Sequence, residues 1–251
     1  MSERDSIAEE LRASVRKAAD QVRGLSVSRR DLIKGSVALG SAAMLTGLSD
    51  EAVAKSLTAR PPKGFKPMAV PGKIVKVAKK GDFASFMQPN QLWPKADVAK
   101  ELLERAMTEF TGKPNLVEAM KRFIHKDDTV AIKVNGIAGQ KGYTMAVNFE
   151  LIKPVVEAVI GVGVPAEKIT VYEQFPTFLM GTRVSVKGYD LPDGVKTATH
   201  NNLDHKMPEI TIYQGIKTKY ATQMLQATAV IDMTQMKDHG ICGYTGCLKN
   251  I

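Results

Sequence analysis

Between residues 129 and 134 the chain runs Thr-Val-Ala-Ile-Lys-Val, almost continuously apolar and β-branched. That is the pattern of a strand buried on both faces. A Gly-rich stretch, 135–142, follows it, and then 149–160 repeats apolar residues at helical spacing before Gly161, Gly163 and Pro165. A second β-branched run occupies 169–172. Strand, loop, helix, turn and strand within about 45 residues is the size of one βαβ crossover and predicts a parallel sheet. Upstream, Val98, Leu102, Leu103 and Ala106 mark a helix over 95–110, and Pro114-Asn115 opens a shorter one over 116–123. Ile74 to Val77 is a short strand candidate. Downstream, 174–208 is polar, rich in Gly and Pro and without periodicity, so it reads as loop. Strands are predicted at 209–213 and 228–233, with a helix over 219–225 between them. The expected fold class is α/β, a mostly parallel sheet with flanking helices.

The first 72 residues do not fit that pattern. Ser28-Arg29-Arg30-Asp31-Leu32-Ile33-Lys34 precedes a run from Gly35 to Leu48 without an ionisable side chain, and Ala52-Val53-Ala54 offers a small-x-small cleavage site before Lys55. The run suits a signal h-region and is shorter than the roughly 20 apolar residues of a membrane span. The Arg pair resembles the S-R-R-x-F-L-K signature of twin-arginine signals. That resemblance implies a signal peptide over 1–54, with Arg29, Arg30 and Ala54 as its working residues, the export machinery as partner, and a periplasmic or other extracytoplasmic location. Residues 55–72, with Pro61, Pro62, Pro67, Pro71 and several lysines, are expected to be an extended linker. The α/β domain then spans 73–251. No stable membrane span is expected.

Charge narrows the partners. Residues 1–54 carry 8 Lys/Arg and 8 Asp/Glu, so 55–251 carries 27 against 18, and the whole formal charge of +9 resides there. Such a surplus favours anions such as small carboxylates, phosphates, lipid head groups or an acidic protein. Nucleic acid is not expected, because the lysines are scattered and no aromatic-interleaved basic stripe exists. Cys242 and Cys247 could pair in an oxidising compartment, and two cysteines cannot by themselves ligate an iron–sulfur cluster.

Candidate chemistry is densest from Lys237 to Asn250. His239 is a proton carrier or metal ligand, Lys249 a cation or nucleophile, and Gly240, Gly243 and Gly246 beside Thr245 leave backbone N–H groups open to an anion. Because this segment leaves one predicted parallel strand and Asn135 leaves another, His239 and Lys249 are expected to share a pocket with the loop after Val134. Lys133, Asn135 and Glu173 sit at matching strand ends, and Arg183 in the long loop is a candidate carboxylate or phosphate clamp. His200 and His205, four apart, are a candidate metal pair, alongside His239.

The strand Val-Ala-Ile-Lys-Val-Asn, the turn Gly-Val-Gly-Val-Pro-Ala-Glu-Lys, and Lys-x-His-Gly-x-x-Gly-x-Thr-Gly-x-x-Lys-Asn from Lys237 to Asn250 together resemble the domain-of-unknown-function 362 family. That family has no settled activity. Some members carry ferredoxin-like cysteine motifs that are absent here, so an iron–sulfur cluster is not expected from this chain alone. His239, Gly243, Gly246 and Lys249 are also distantly similar to a segment of nickel-dependent lactate racemases. There the His is an acid/base and the Lys, ten residues on, anchors a nickel-pincer nucleotide. This implies a related fold and a metal or metal–nucleotide cofactor as one option. The resembled families run past Asn250-Ile251, so a truncated or split member is expected. Two functions follow as expectations. One is an exported redox or isomerase-type enzyme, or a cofactor-binding protein, with a small-anion cleft. The other is a non-catalytic binding or partner subunit, which an exposed apolar surface near 241–251 would favour.

Overall fold

A computed structural model describes residues 61–137, 144–200, 209–213, 216–241 and 243–250. Arg29, Arg30, Ala54, His205 and Cys242 lie outside these residues, as does most of the Gly-rich stretch after Ile137.

Among the described residues three helices precede the first strand: α1 (Phe83–Phe86), α2 (Ala96–Thr111) and α3 (Leu116–Met120). Asn115 caps α3, its Oδ1 accepting the Glu118 N–H at 2.9 Å. Then come β1 (Val130–Val134), α4 (Phe149–Val162), β2 (Ile169–Glu173), α5 (Pro176–Gly181), β3 (Lys196–Thr199), β4 (Glu209–Tyr213), β5 (Ile216–Lys219), α6 (Thr222–Gln226), β6 (Ala229–Met233) and α7 (Cys247–Asn250). The sheet is four-stranded in the order β3-β2-β1-β6, with every pair parallel. The fold is therefore α/β. β4 and β5 pair antiparallel as a separate two-stranded sheet.

Strand alternation gives the sheet two unlike faces. Ile132, Val134, Ile169 and Val171 point into the main core, where Ile152, Val155, Val156 and Val159 of α4 and Leu116 and Met120 of α3 cover them. The opposite face carries Ala131, Tyr172 and Val230 under a thinner cover, Ala221 and Met224 at α6. The register places Lys133 beside Tyr172 on one side and Asp232 on the other, a polar row one residue from the strand ends on that thinner face.

Three expectations are corrected. Residues 73–80 form no strand: Ile74 is 88% exposed, and the segment is held by the Lys73 Nζ bond to the Phe110 carbonyl at 2.6 Å rather than by strand pairing. The stretch read as loop contains α5, started by Pro176 at its first turn, and β3. β3 escaped notice because Lys-Thr-Ala-Thr on a sheet edge has no apolar run. The predicted helix over 219–225 begins only at Thr222, since Lys219 ends β5. Among the described residues no helix is long and apolar enough to cross a membrane.

Candidate functional site

At the C-terminal ends of β1, β2 and β6 a cleft of about 360 Å³ opens on the thinner face. Parallel strands send their exit loops to one edge, the edge where open α/β sheets gather ligands. Its lining includes Lys133, Asn135, Glu173, His200, His239, Thr245 and Lys249, so these residues of separate segments meet in one place.

The floor is a connected hydrogen-bond network. Lys133, 5% exposed, donates from Nζ to the Val134 carbonyl at 2.7 Å, to Asn250 Oδ1 at 3.1 Å and to Glu173 Oε1 at 3.3 Å. Glu173 also accepts the N–H of Gly136 and that of Gln174. Asn135 donates to Asn250 Oδ1 at 3.0 Å, and Asn250 in turn donates to Asp232 Oδ1 at 2.5 Å. Lys237 donates to Asn135 Oδ1 at 2.8 Å and to the carbonyls of Ile137 at 2.6 Å and Met145 at 3.0 Å. A lysine only donates and a carboxylate only accepts. The chain Lys237→Asn135→Asn250→Asp232 is therefore polarised from end to end, and both amide orientations follow from its charged termini. Asp232 Oδ2 is buried without a hydrogen-bond partner.

Burial sets the electrostatics. It pulls Lys133 below the ordinary lysine range against the opposing attraction of Glu173 and Asp232. Asp232 is pushed up by burial, although the Asn250 bond opposes this. Tyr172 is pushed up to about 12 by burial and by the Asp232 and Glu173 charges. His200, ring to ring with Tyr172 at 6.1 Å, is held low by burial and by Lys133. Lys237 is lowered by burial and by Lys249.

His239 and Lys249 form the outer part. Lys237 and Thr245 pair as an antiparallel bridge, and between them the chain turns with Gly243 N–H bonding the His239 carbonyl at 2.7 Å. Gly243 at φ +69° occupies the left-handed region that a side chain would strain. His239 Nδ1 accepts the Ile241 N–H at 3.2 Å. In the neutral ring the proton therefore sits on Nε2, and His239 presents an N–H donor rather than a basic nitrogen there. Lys249 is exposed and meets Thr245 Oγ1 at 3.4 Å. Gly240 is exposed and Gly246 is buried against the Tyr244 ring.

Arg183 is not part of this cleft. It is 2% exposed, its guanidinium holds both oxygens of Glu150 at 2.7 and 2.5 Å, and it lies over the rings of Trp93 at 4.1 Å and Tyr189 at 4.8 Å. Its donors are spent on a partner that sequence spacing could not reveal, 33 residues away. Among the described residues no three His, Cys, Asp or Glu side chains converge as a metal-binding group. Cys247 is a free thiol whose Sγ lies 3.8 Å from the Asp232 carbonyl.

Asn250, Asp232 and Lys237 were not singled out by sequence reasoning. The signal was present for two of them, since Lys237 and Asn250 bound the segment that carries His239.

Residues 130–251 match the model of the family described as "Domain of unknown function (DUF362)". The segment from β1 onward is thus DUF362-like. No curated protein and no solved structure matches the chain.

Proposed function

We propose that the chain is an exported protein whose cleft binds a small organic anion, a carboxylate or phosphate, met by Lys249 on the wall that also carries His239. The observation that carries this reading is the division of labour among the cations. Lys133 and Lys237 each have three protein acceptors for three ammonium protons, whereas Lys249 is exposed with one long hydroxyl bond. Spare charged donors on the outer wall suit an anion, and a charge-assisted bond is the stronger kind. The cleft volume is at the small end of ligand sites. A redox or isomerase-type reaction on the bound anion is the enzymatic form of this reading. Calorimetric titration of the full chain with acetate and with inorganic phosphate tests it. Binding of either is expected to weaken about tenfold or more in Lys249→Met, a loss in the range of a charged hydrogen bond. Absence of binding by both anions, or equal affinity in the variant, defeats it. The export half rests on Arg29-Arg30 and Ala54. Replacing the Arg pair by Lys-Lys should trap the precursor inside the cell, and unaltered export removes that half.

A second reading, a partner-docking subunit, is favoured by one specific observation. On the turn that carries His239, Ile241 is 92%, Met236 77% and Tyr244 50% exposed. Sedimentation of the purified chain against Ile241→Ser/Tyr244→Ser decides whether that surface drives self-association; a monomer in both cases leaves the surface to a different chain or to none.

A further inference from the structure

We propose that Lys133 is an amine nucleophile that captures the carbonyl carbon of a small oxo-acid in the cleft. The proposal rests on the anion reading above, because the carboxylate of such a molecule is what Lys249 would hold. Three observations lead to the amine. Lys133 is buried yet its side chain lines the cavity, so a molecule inside can reach it while bulk water scarcely does. Its cross-strand neighbours are Tyr172 and Asp232, one on each side, with Glu173 Oε1 at 3.3 Å. An amine flanked by groups that pass protons is what imine formation needs. Finally, a lysine desolvated at the floor of a pocket is activated by the loss of its charged form, and burial lowers Lys133 in that direction.

The other cations do not share this setting. Lys237 also has three acceptors, but none is a carboxylate that could take its proton and it does not line the cavity, while Lys249 is solvent-exposed. Phe178, Met224 and Ala221 supply an apolar wall against which a short carbon chain can lie. The groups facing Lys133 are Glu173 and Tyr172 from β2, Asp232 from β6 and His200 beyond β3, with Lys249 across the cleft. Glu173 and Asp232 favour its ammonium form, and burial opposes them.

The step balances without a redox partner. Lys133 Nζ gives up one ammonium proton, with Glu173 Oε1 the acceptor within reach, and its lone pair forms a C–N bond to the carbonyl carbon. The C=O π electrons pass to oxygen, which takes up the proton that Glu173 received. A second N–H proton and the resulting hydroxyl then leave as water, giving the protonated imine. Ammonium and carbonyl become iminium and water, with Glu173 returned to its starting form.

Glyoxylate with cyanoborohydride is the probe, the hydride serving only to trap the imine as a carboxymethyl-lysine. Full-length folded protein is labelled at neutral pH and the adducts are mapped by peptide mass spectrometry, with exposed Lys113 as internal standard. Saturable labelling of Lys133, about tenfold or more faster than Lys113, is expected, with a half-maximal pH below that of Lys113. Lys133→Arg should lose the fast site. Lys133 unlabelled, or labelled at the pace of Lys113, overturns the proposal, and this comparison within the wild-type chain holds even if the variant fails to fold. Acetate and Lys249→Met separate the two ideas. If fast labelling at Lys133 is indifferent to both, the nucleophile stands and the anion reading falls. If acetate binds in calorimetry but Lys133 stays unlabelled, the anion reading stands and the nucleophile falls.

Discussion

Among the described residues two ion pairs are buried, and they are built differently. Arg183 and Glu150 meet as a two-pronged pair, roofed by Trp93 and Tyr189, with Gln88 also donating to Glu150 Oε1 at 2.7 Å. Arg183 holds this pose at φ +68°, in the left-handed region. Its planar fork matches a carboxylate edge to edge, and the aromatic faces replace water around it. Lys133 and Glu173 meet at one 3.3 Å contact, and the rest of each group is satisfied by backbone and by Asn250. The first pair is sealed; the second forms the wall of a cavity. The contrast teaches that burial alone does not mark a functional charge. What marks it is a buried charge whose surroundings leave one side open.

The largest expected effect tests the sealed pair. Arg183→Met leaves Glu150 as an uncompensated buried carboxylate and should cost about 3–5 kcal/mol in urea unfolding. Lys133→Met should cost less, since Glu173 keeps the Gly136 and Gln174 N–H donors. Equal losses would erase the distinction.

Gly136→Ala comes next. An added Cβ would stand 1.6 Å from the Phe178 carbonyl oxygen, so backbone must move where β1 feeds the cleft. Overpacking of this kind costs about 1–3 kcal/mol. It should also loosen the Gly136–Glu173 contact, so glyoxylate labelling at Lys133 is expected to change with stability; a Gly136→Ala protein as stable as the parent contradicts the close approach.

Asn250→Ala removes the amide that joins Lys133, Asn135 and Asp232. Leaving buried donors unmet costs about 1–3 kcal/mol, lowered in practice because Lys133 and Asp232 are cross-strand neighbours and can turn toward each other. Thermal unfolding should fall modestly while the circular dichroism spectrum is retained. A rise in stability would mean the network is strained rather than supportive.

The smallest effect is a pH dependence. His200 is held below its ordinary 6.5 by burial first and by Lys133 second. The unfolded chain thus binds the proton more readily, and stability rises with pH up to about 6.5 and falls as the medium is acidified through the lowered value. In His200→Gln this part of the acid sensitivity should vanish, and in Lys133→Met it should shrink. Unchanged curves in both variants would detach His200 from the cleft.

Much of the β1-to-β2 unit was legible because it depends on local and periodic features: apolar runs for buried strands, helical spacing for α4, Gly163 in the left-handed conformation ending the helix. The meeting of His239, Lys249, Asn135 and Lys133 followed from one further rule, that parallel strands deliver their exit loops to the same edge. β3 and α5 were not legible, since an edge strand of polar residues and a six-residue helix bury too little to leave a pattern. By itself, then, the sequence determined the α/β class, the parallel crossover and the end of the sheet where the cleft opens, because backbone hydrogen bonding and apolar burial act over short, repeating distances. Only the tertiary structure decided that Arg183 closes on Glu150 instead of facing a ligand, that Asn250 ties Lys133 to Asp232, and that Lys249 keeps spare donors. Those outcomes depend on which desolvated charges find partners 18, 33 or 117 residues away, and a pairing at such separations leaves no period in the chain.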